Sequence, residues 1–135
     1  MIGLVIATHA RLGEELVAAA SMIIGPSSRV RAVSIQPGDG VEEIRTKLGK
    51  AMAEVNTEGD GVIVMTDMFG GTPSNISLAF LDSGKVEVLT GVNLPMVLKF
   101  FNAQDRLSLD ELAALLKAYG QQGISQASDF LNHRD

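Results

Sequence analysis

Gly61-Val62-Ile63-Val64-Met65-Thr66-Asp67-Met68-Phe69-Gly70-Gly71-Thr72-Pro73-Ser74-Asn75 is the stretch that decides the fold of this chain. Its first half is an unbroken apolar run, the pattern of a strand buried on both faces. Asp67 ends that run. Two glycines then lead into Thr72 as a hydroxyl N-cap and Pro73 at the first helical position, which predicts a helix through about Leu81.

Toward the N-terminus, residues 2–7 form a second nearly unbroken apolar run, closed by Thr8-His9. Leu12, Leu16, Ala19, Ala20, Ile23 and Ile24 then recur on one helical stripe, and Gly25-Pro26 stops it. Arg29 to Ile35 alternates polar and apolar residues, as a strand nearer a sheet edge does. Asp39, with Glu42 three residues on, reads as a capping box for a helix carrying Val41, Ile44, Leu48, Met52 and Val55. Toward the C-terminus, Val86 to Thr90 is a fourth strand and Asn93 caps a short helix from Leu94 to Phe101. Ser108 with Glu111 forms another capping box, ahead of a last stripe of Leu109, Leu112, Leu115, Leu116 and Tyr119 closed by Gly120. Residues 123–135 give no clear pattern. Strands alternate with helices throughout, which predicts an α/β fold: one open, mainly parallel sheet with helices on both faces. Right-handed crossovers favour the flavodoxin-like order 2-1-3-4, which places the two most apolar strands together at the centre.

Composition narrows function. The chain has 135 residues, a formal charge of −5, no cysteine, no tryptophan and two histidines. That is one domain's length, with 46% apolar residues and enough chain for one real core. A disulfide framework and any cysteine-based nucleophile or metal site are excluded. A pI near 4.9 argues against binding a nucleic-acid backbone. No basic n-region precedes the apolar start and no run of about 18 apolar residues occurs, so a cytoplasmic location is expected.

In an open α/β sheet, ligands bind beyond the carboxyl ends of the strands, where the strand order reverses. With order 2-1-3-4 that point lies between the first and third strands. It collects His9 from one and Asp67 from the other. Alone, His9 reads as an exposed loop histidine and Asp67 as a turn former. Together they gain a joint meaning. A carboxylate that accepts one imidazole N–H fixes the tautomer and leaves the other nitrogen as acceptor or nucleophile. Gly70 and Gly71 allow a sharp turn with close backbone approach, and the helix start from Thr72 to Ser74 offers unpaired N–H groups to an anion. The plain alternative is an ordinary strand–turn–helix connection. No lysine follows the glycines, so this is not a P-loop. A nucleophilic imidazole beside an anion cradle suggests transient phosphorylation of His9, without nucleotide, cofactor or metal. His133, near the chain end, is given no role.

These residues resemble the IIA component of the mannose-family sugar phosphotransferase system. The likeness rests on Ile2-Gly3-Leu4-Val5-Ile6-Ala7-Thr8-His9, on Asp67 to Asn75, and on Gly91-Val92-Asn93-Leu94-Pro95-Met96, and spans nearly the whole chain. The resemblance implies that His9 accepts a phosphoryl group from the phosphohistidine carrier HPr and passes it to a IIB partner. Asp67 would hydrogen-bond His9, and Thr72 would contact the phosphoryl group with Gly70, Gly71 and Ser74 around it. It further implies a homodimer in which a C-terminal segment, here around Gly123-Ile124-Ser125, completes the partner's sheet. Association with membrane IIC and IID components is also implied. Residues 1–135 are expected to be one IIA domain with no fused IIB domain. Two positions depart from the pattern: Ala10 stands where family members often have glycine, and Arg11 adds a cation beside the site.

Rival readings keep the fold and change the role. One is a regulatory IIA protein that reports phosphorylation state to a non-transport partner; another is the phosphocarrier subunit of a dihydroxyacetone kinase. A flavin module would want a Ser/Thr-rich first loop and flanking aromatics, whereas this loop is His9-Ala10-Arg11-Leu12-Gly13 and aromatics are 4%. A response-regulator receiver would need clustered acids after the first strand, and a metal hydrolase more ligands than His9 and Asp67.

Overall fold

Two apolar runs lie side by side at the centre of a four-stranded parallel sheet in the computed structural model, which describes residues 1–103 and 106–132. They are β1 (Gly3–His9) and β3 (Val62–Thr66), with β2 (Val30–Ile35) and β4 (Val86–Thr90) at the edges, giving the order β2-β1-β3-β4. The expected class and strand order are both present. Leu4, Val5, Ile6, Ile63, Val64 and Met65 are all at 0% exposure, because helices cover both faces of the sheet. Burial of each such side chain contributes about 1.5–3 kcal/mol.

Alternation along the strands divides the core into two layers. Leu4, Ile6, Ile63 and Met65 face α1 (Leu12–Ile23), α4 (Leu94–Asn102) and α5 (Leu109–Gln122), packing with Ala20, Val97, Phe100, Leu112 and Leu116. Val5, Ala7, Val62 and Val64 face α2 (Val41–Val55) and α3 (Thr72–Leu78), packing with Ile44, Leu48, Val55 and Ile76. The register fixes the functional end. Ala7 pairs with Thr66, so Thr8-His9 and Asp67 leave the sheet together at its carboxyl edge.

Several boundaries differ from the sequence expectation. Asp39 and Glu42 form no capping box; Gly40 occupies the N-cap of α2, and Asp39 Oδ2 instead accepts the Gln36 N–H at 2.9 Å. A short carboxylate side chain closes its own turn as readily as it caps a helix, and here the turn wins. In α3 the N-cap is Gly71 and Thr72 is already helical, and the helix ends at Leu78 and not at Leu81. Within the first stripe, Leu12, Ile23 and Ile24 are exposed, and packing rests on Leu16, Val17 and Ala20. Gly120 does not close α5. It sits inside the helix, where a Cβ would lie 2.6 Å from Met96 Cε, and Gly123 is the C-cap.

Two caps formed as expected. Asn93 Oδ1 accepts the Met96 N–H at 3.1 Å, while its Nδ2 donates to the Gly120 carbonyl at 2.8 Å, tying the start of α4 to the end of α5. Both halves of the Ser108–Glu111 box are present, and the Ser108 N–H holds the Glu111 carboxyl below its usual range. Beyond α5, the ambiguous tail forms a short helix, α6 (Ala127–Asn132), with Ile124, Phe130 and Leu131 exposed. His133 lies outside the described residues. Among the described residues, no helix is long and apolar enough to cross a membrane.

Candidate functional site

Three consecutive residues at the end of β1 are each tied to a different part of the sheet's carboxyl edge. Thr8 is fully buried, and its Oγ1 accepts the Gly13 N–H from the first turn of α1 at 2.7 Å. His9 donates its backbone N–H to Asp67 Oδ2 at 3.1 Å. Ala10 donates its N–H to the Ile35 carbonyl at 2.8 Å, extending the contact with β2. The strand turns into its helix through Ala10 at φ +49°, the one non-glycine residue with positive φ among those described. A Cβ is disfavoured in that left-handed region, so the angle is not an ordinary one for alanine.

The same Asp67 Oδ2 lies 2.8 Å from His9 Nδ1. An ionised carboxylate only accepts hydrogen bonds, so Nδ1 carries the proton and Nε2 presents its lone pair. The two groups stand in different surroundings: the His9 side chain is 49% exposed and Asp67 only 14%. Asp67 therefore works from below as a buried anchor, and the imidazole stands in solvent. Its other oxygen, Oδ1, is buried and has no hydrogen-bond partner among the described residues.

The glycine turn comes up against the ring. A Cβ built on Gly71 would lie 2.8 Å from His9 Cε1, closer than real Cβ contacts allow, and a tight 3.3 Å from Nε2. Gly70 takes φ +88°, a conformation open to glycine at little cost, and turns the chain back toward His9. The first N–H groups of a helix have no intrahelical acceptor, so those of Gly71, Thr72 and Ser74 are left for other partners; Pro73 has none to give. Thr72 is exposed, whereas Ser74 is at 0% exposure with its hydroxyl unpartnered. Of the sequence candidates, His9, Asp67 and Gly71 are in contact or nearly so, Gly70 and Thr72 flank them, and the Ser74 side chain is shut beneath the turn.

Arg11 turns away from this group. Its Nε lies 2.8 Å from Glu14 and its Nη2 3.8 Å from Glu15, and these carboxylates, Glu14 first, hold the guanidinium above its usual range. Gly91 to Met96 takes a structural part: Gly91 and Val92 donate their N–H groups to the Thr66 carbonyl, and Asn93 clamps α4 to α5. The role of Thr8 is not legible in the sequence, since the Thr8–Gly13 spacing carries no recognised motif. Ala10, which stands where family members often have glycine, does take the left-handed angle that glycine favours. Met68 and Phe69, 53% and 73% exposed, put apolar surface on the turn next to the site. Among the described residues, no three His, Asp or Glu side chains are grouped so as to hold a metal.

Comparison with known proteins gives the chain its family. The EIIA-man family, described as PTS system fructose IIA component, matches residues 3–117. The PTS system fructose-specific EIIA component of Bacillus subtilis is 30% identical over 132 residues, 97% of this chain and 90% of that protein. The PTS system mannose-specific EIIAB component of Escherichia coli is 34% identical over 125 residues, 91% of this chain but 38% of that longer protein. Among solved structures, the phosphotransferase system component EIIA from Streptococcus agalactiae superposes with a TM-score of 0.85 at 26% identity, covering 96% of this chain and 99% of that one. A matched family over most of the length, and a relative of similar size, place the chain: it belongs to the mannose-family IIA components of the sugar phosphotransferase system, the phosphocarriers of that system.

Proposed function

We propose that His9 Nε2 is the phosphoryl acceptor, charged by the phosphohistidine carrier HPr and discharged to a IIB partner during sugar uptake. The observation that carries this reading is the 2.8 Å contact between Asp67 Oδ2 and His9 Nδ1, which leaves Nε2 as the free nucleophile. In the charging step the Nε2 lone pair attacks phosphorus. The P–N bond of the donor phosphohistidine breaks as the new one forms, and the donor imidazole departs with the electron pair. Asp67 stays on Nδ1–H and stabilises the positive charge that the ring gains. Gly71 abuts the ring at Cε1 and Nε2, and the unpaired backbone N–H groups of Gly71, Thr72 and Ser74 at this helix start receive the phosphoryl oxygens, with the exposed Thr72 hydroxyl as a further donor. The Gly70 angle sets this turn. The buried Ser74 side chain contributes through its backbone. Arg11, held by Glu14, has no part in the transfer.

The IIA domain acts as a homodimer. Among the described residues the outer edge of β4 carries no partner strand, and a groove of about 670 Å³ runs beside it, lined in part by Leu89, Gly91, Asn93, Lys117 and Ile124. An open edge is a template for a further strand, and the exposed segment after Gly123 is the piece of chain able to supply it in a second copy. Docking to membrane IIC and IID components follows from the transport role.

Incubation with phosphoenolpyruvate, the first enzyme of the phosphotransferase system and HPr tests the assignment. The wild-type chain takes acid-labile label and His9→Ala takes none while keeping its fold. Unchanged labelling in His9→Ala overturns it.

A further inference from the structure

We infer that Thr8 is a positioning residue for His9: its buried hydroxyl, by holding the Gly13 N–H, locks the turn that aims the imidazole. The inference rests on His9 being the acceptor. The first turn of α1 has no side-chain cap of its own, since Arg11 at the N-cap position makes no such bond. Thr8 Oγ1 supplies the acceptor from the end of β1 instead, at 2.7 Å and out of solvent. The approach is as close as the chain allows. A Cβ on Gly13 would lie 2.9 Å from the Ile6 carbonyl oxygen and 3.2 Å from Thr8 Oγ1, so glycine is required for the helix to start there.

Between the two ends of this bond lie only four residues, two of them under constraint. His9 is held to Asp67 by its backbone N–H, and Ala10 is held in the left-handed region with its N–H on Ile35. The Thr8–Gly13 bond closes this loop from the helix side. Without it the start of α1 is free to move away from β1, Ala10 is free to leave its disfavoured angle, and the His9 backbone is carried with it. The ring then loses its fixed distance to Asp67. Small misplacements of this kind cost reaction rate far more than they cost folding.

Thr8→Val keeps the shape and removes the hydroxyl; Thr8→Ser keeps the hydroxyl. Two readouts are taken on the full chain: the initial rate of labelling through HPr, and the ¹⁵N signals of the His9 ring, which report the share of the tautomer with the proton on Nδ1. Thr8→Val is expected to label about tenfold or more slowly with a reduced Nδ1–H share, and Thr8→Ser to restore both. Thr8→Ala, which removes the hydroxyl and adds no bulk, is expected to behave as Thr8→Val and serves if that variant fails to fold. A wild-type rate in these variants, or a slowed rate with an unchanged ring signal, overturns the inference. If the wild-type chain takes no label, the acceptor reading falls, and the ring signal alone decides whether Thr8 positions His9.

Discussion

Asp67 Oδ2 receives two hydrogen bonds from His9, one from the backbone N–H at 3.1 Å and one from ring Nδ1 at 2.8 Å. One oxygen thus fixes both where the residue starts and which way its ring points. A side chain held at the ring alone could swing about its Cα–Cβ bond; held at both ends it keeps one rotamer. The arrangement follows from register, since Ala7 opposite Thr66 brings the two strand ends level.

Removing that oxygen releases the ring without opening the core. Asp67→Ala is expected to slow charging from HPr by about 10²-fold, the scale of a misoriented reacting group. The melting temperature is expected to change little, because the deletion also removes the buried, unpartnered Oδ1. Labelling kinetics beside thermal unfolding give the answer, and a wild-type rate would remove Asp67 from the site.

Gly71 probes the other side of the ring. Its φ is −88°, which any residue adopts, so Gly71→Ala strains no backbone. The new Cβ would stand 2.8 Å from Cε1, and the half-exposed imidazole must yield. Charging is expected to fall about tenfold or more with the fold intact, since the ring has solvent to move into. A rate equal to wild type would show that the turn does not shape the Nε2 face.

Ala10 is a cost the chain bears beside its site. A left-handed alanine is disfavoured by about 1–2 kcal/mol. Replacement by glycine returns part of that as backbone entropy, about 0.5–1 kcal/mol. Ala10→Gly is therefore expected to stabilise the protein by about 0.5–1 kcal/mol, seen as a rise of about 2–4 °C in melting temperature. A fall would mean that the left-handed angle carries no strain.

Much of this was legible in the residues. Two unbroken apolar runs can only be central strands, and that choice forces the order and brings His9 and Asp67 to one crevice. The caps at Asn93 and Ser108 were equally plain, because each side chain has one nearby row of unpaired N–H groups. What stayed hidden depended on competition or on angle. Asp39 had a turn and a helix to choose between. Gly120 looked like a stop but is a gap for Met96. Ser74 looked like a phosphate ligand by its place after the glycines, yet the direction of its Cβ buries it. Thr8 was read as the end of a strand, and its bond to Gly13 needs the position of a helix that the strand pattern does not supply.

The tail offers the last test. Ile124 is 79%, Phe130 66% and Leu131 63% exposed, more apolar surface than a short terminal segment retains without a partner. The edge of β4 and its groove are open to a further strand, and each copy carries an exposed segment after α5, helical over Ala127–Asn132, that would have to extend to supply it. Two copies that exchange these segments satisfy both deficits at once, in the self-complementary way that a two-fold interface requires. The intact chain, 14.3 kDa, is expected to sediment as a dimer. Removal of residues 124–135 is expected to leave a folded monomer, because among the described residues no buried hydrophobic side chain lies beyond Leu116. A truncated chain that still sediments as a dimer would place the interface elsewhere, and an intact chain that stays monomeric at high concentration would leave the β4 edge without its second copy.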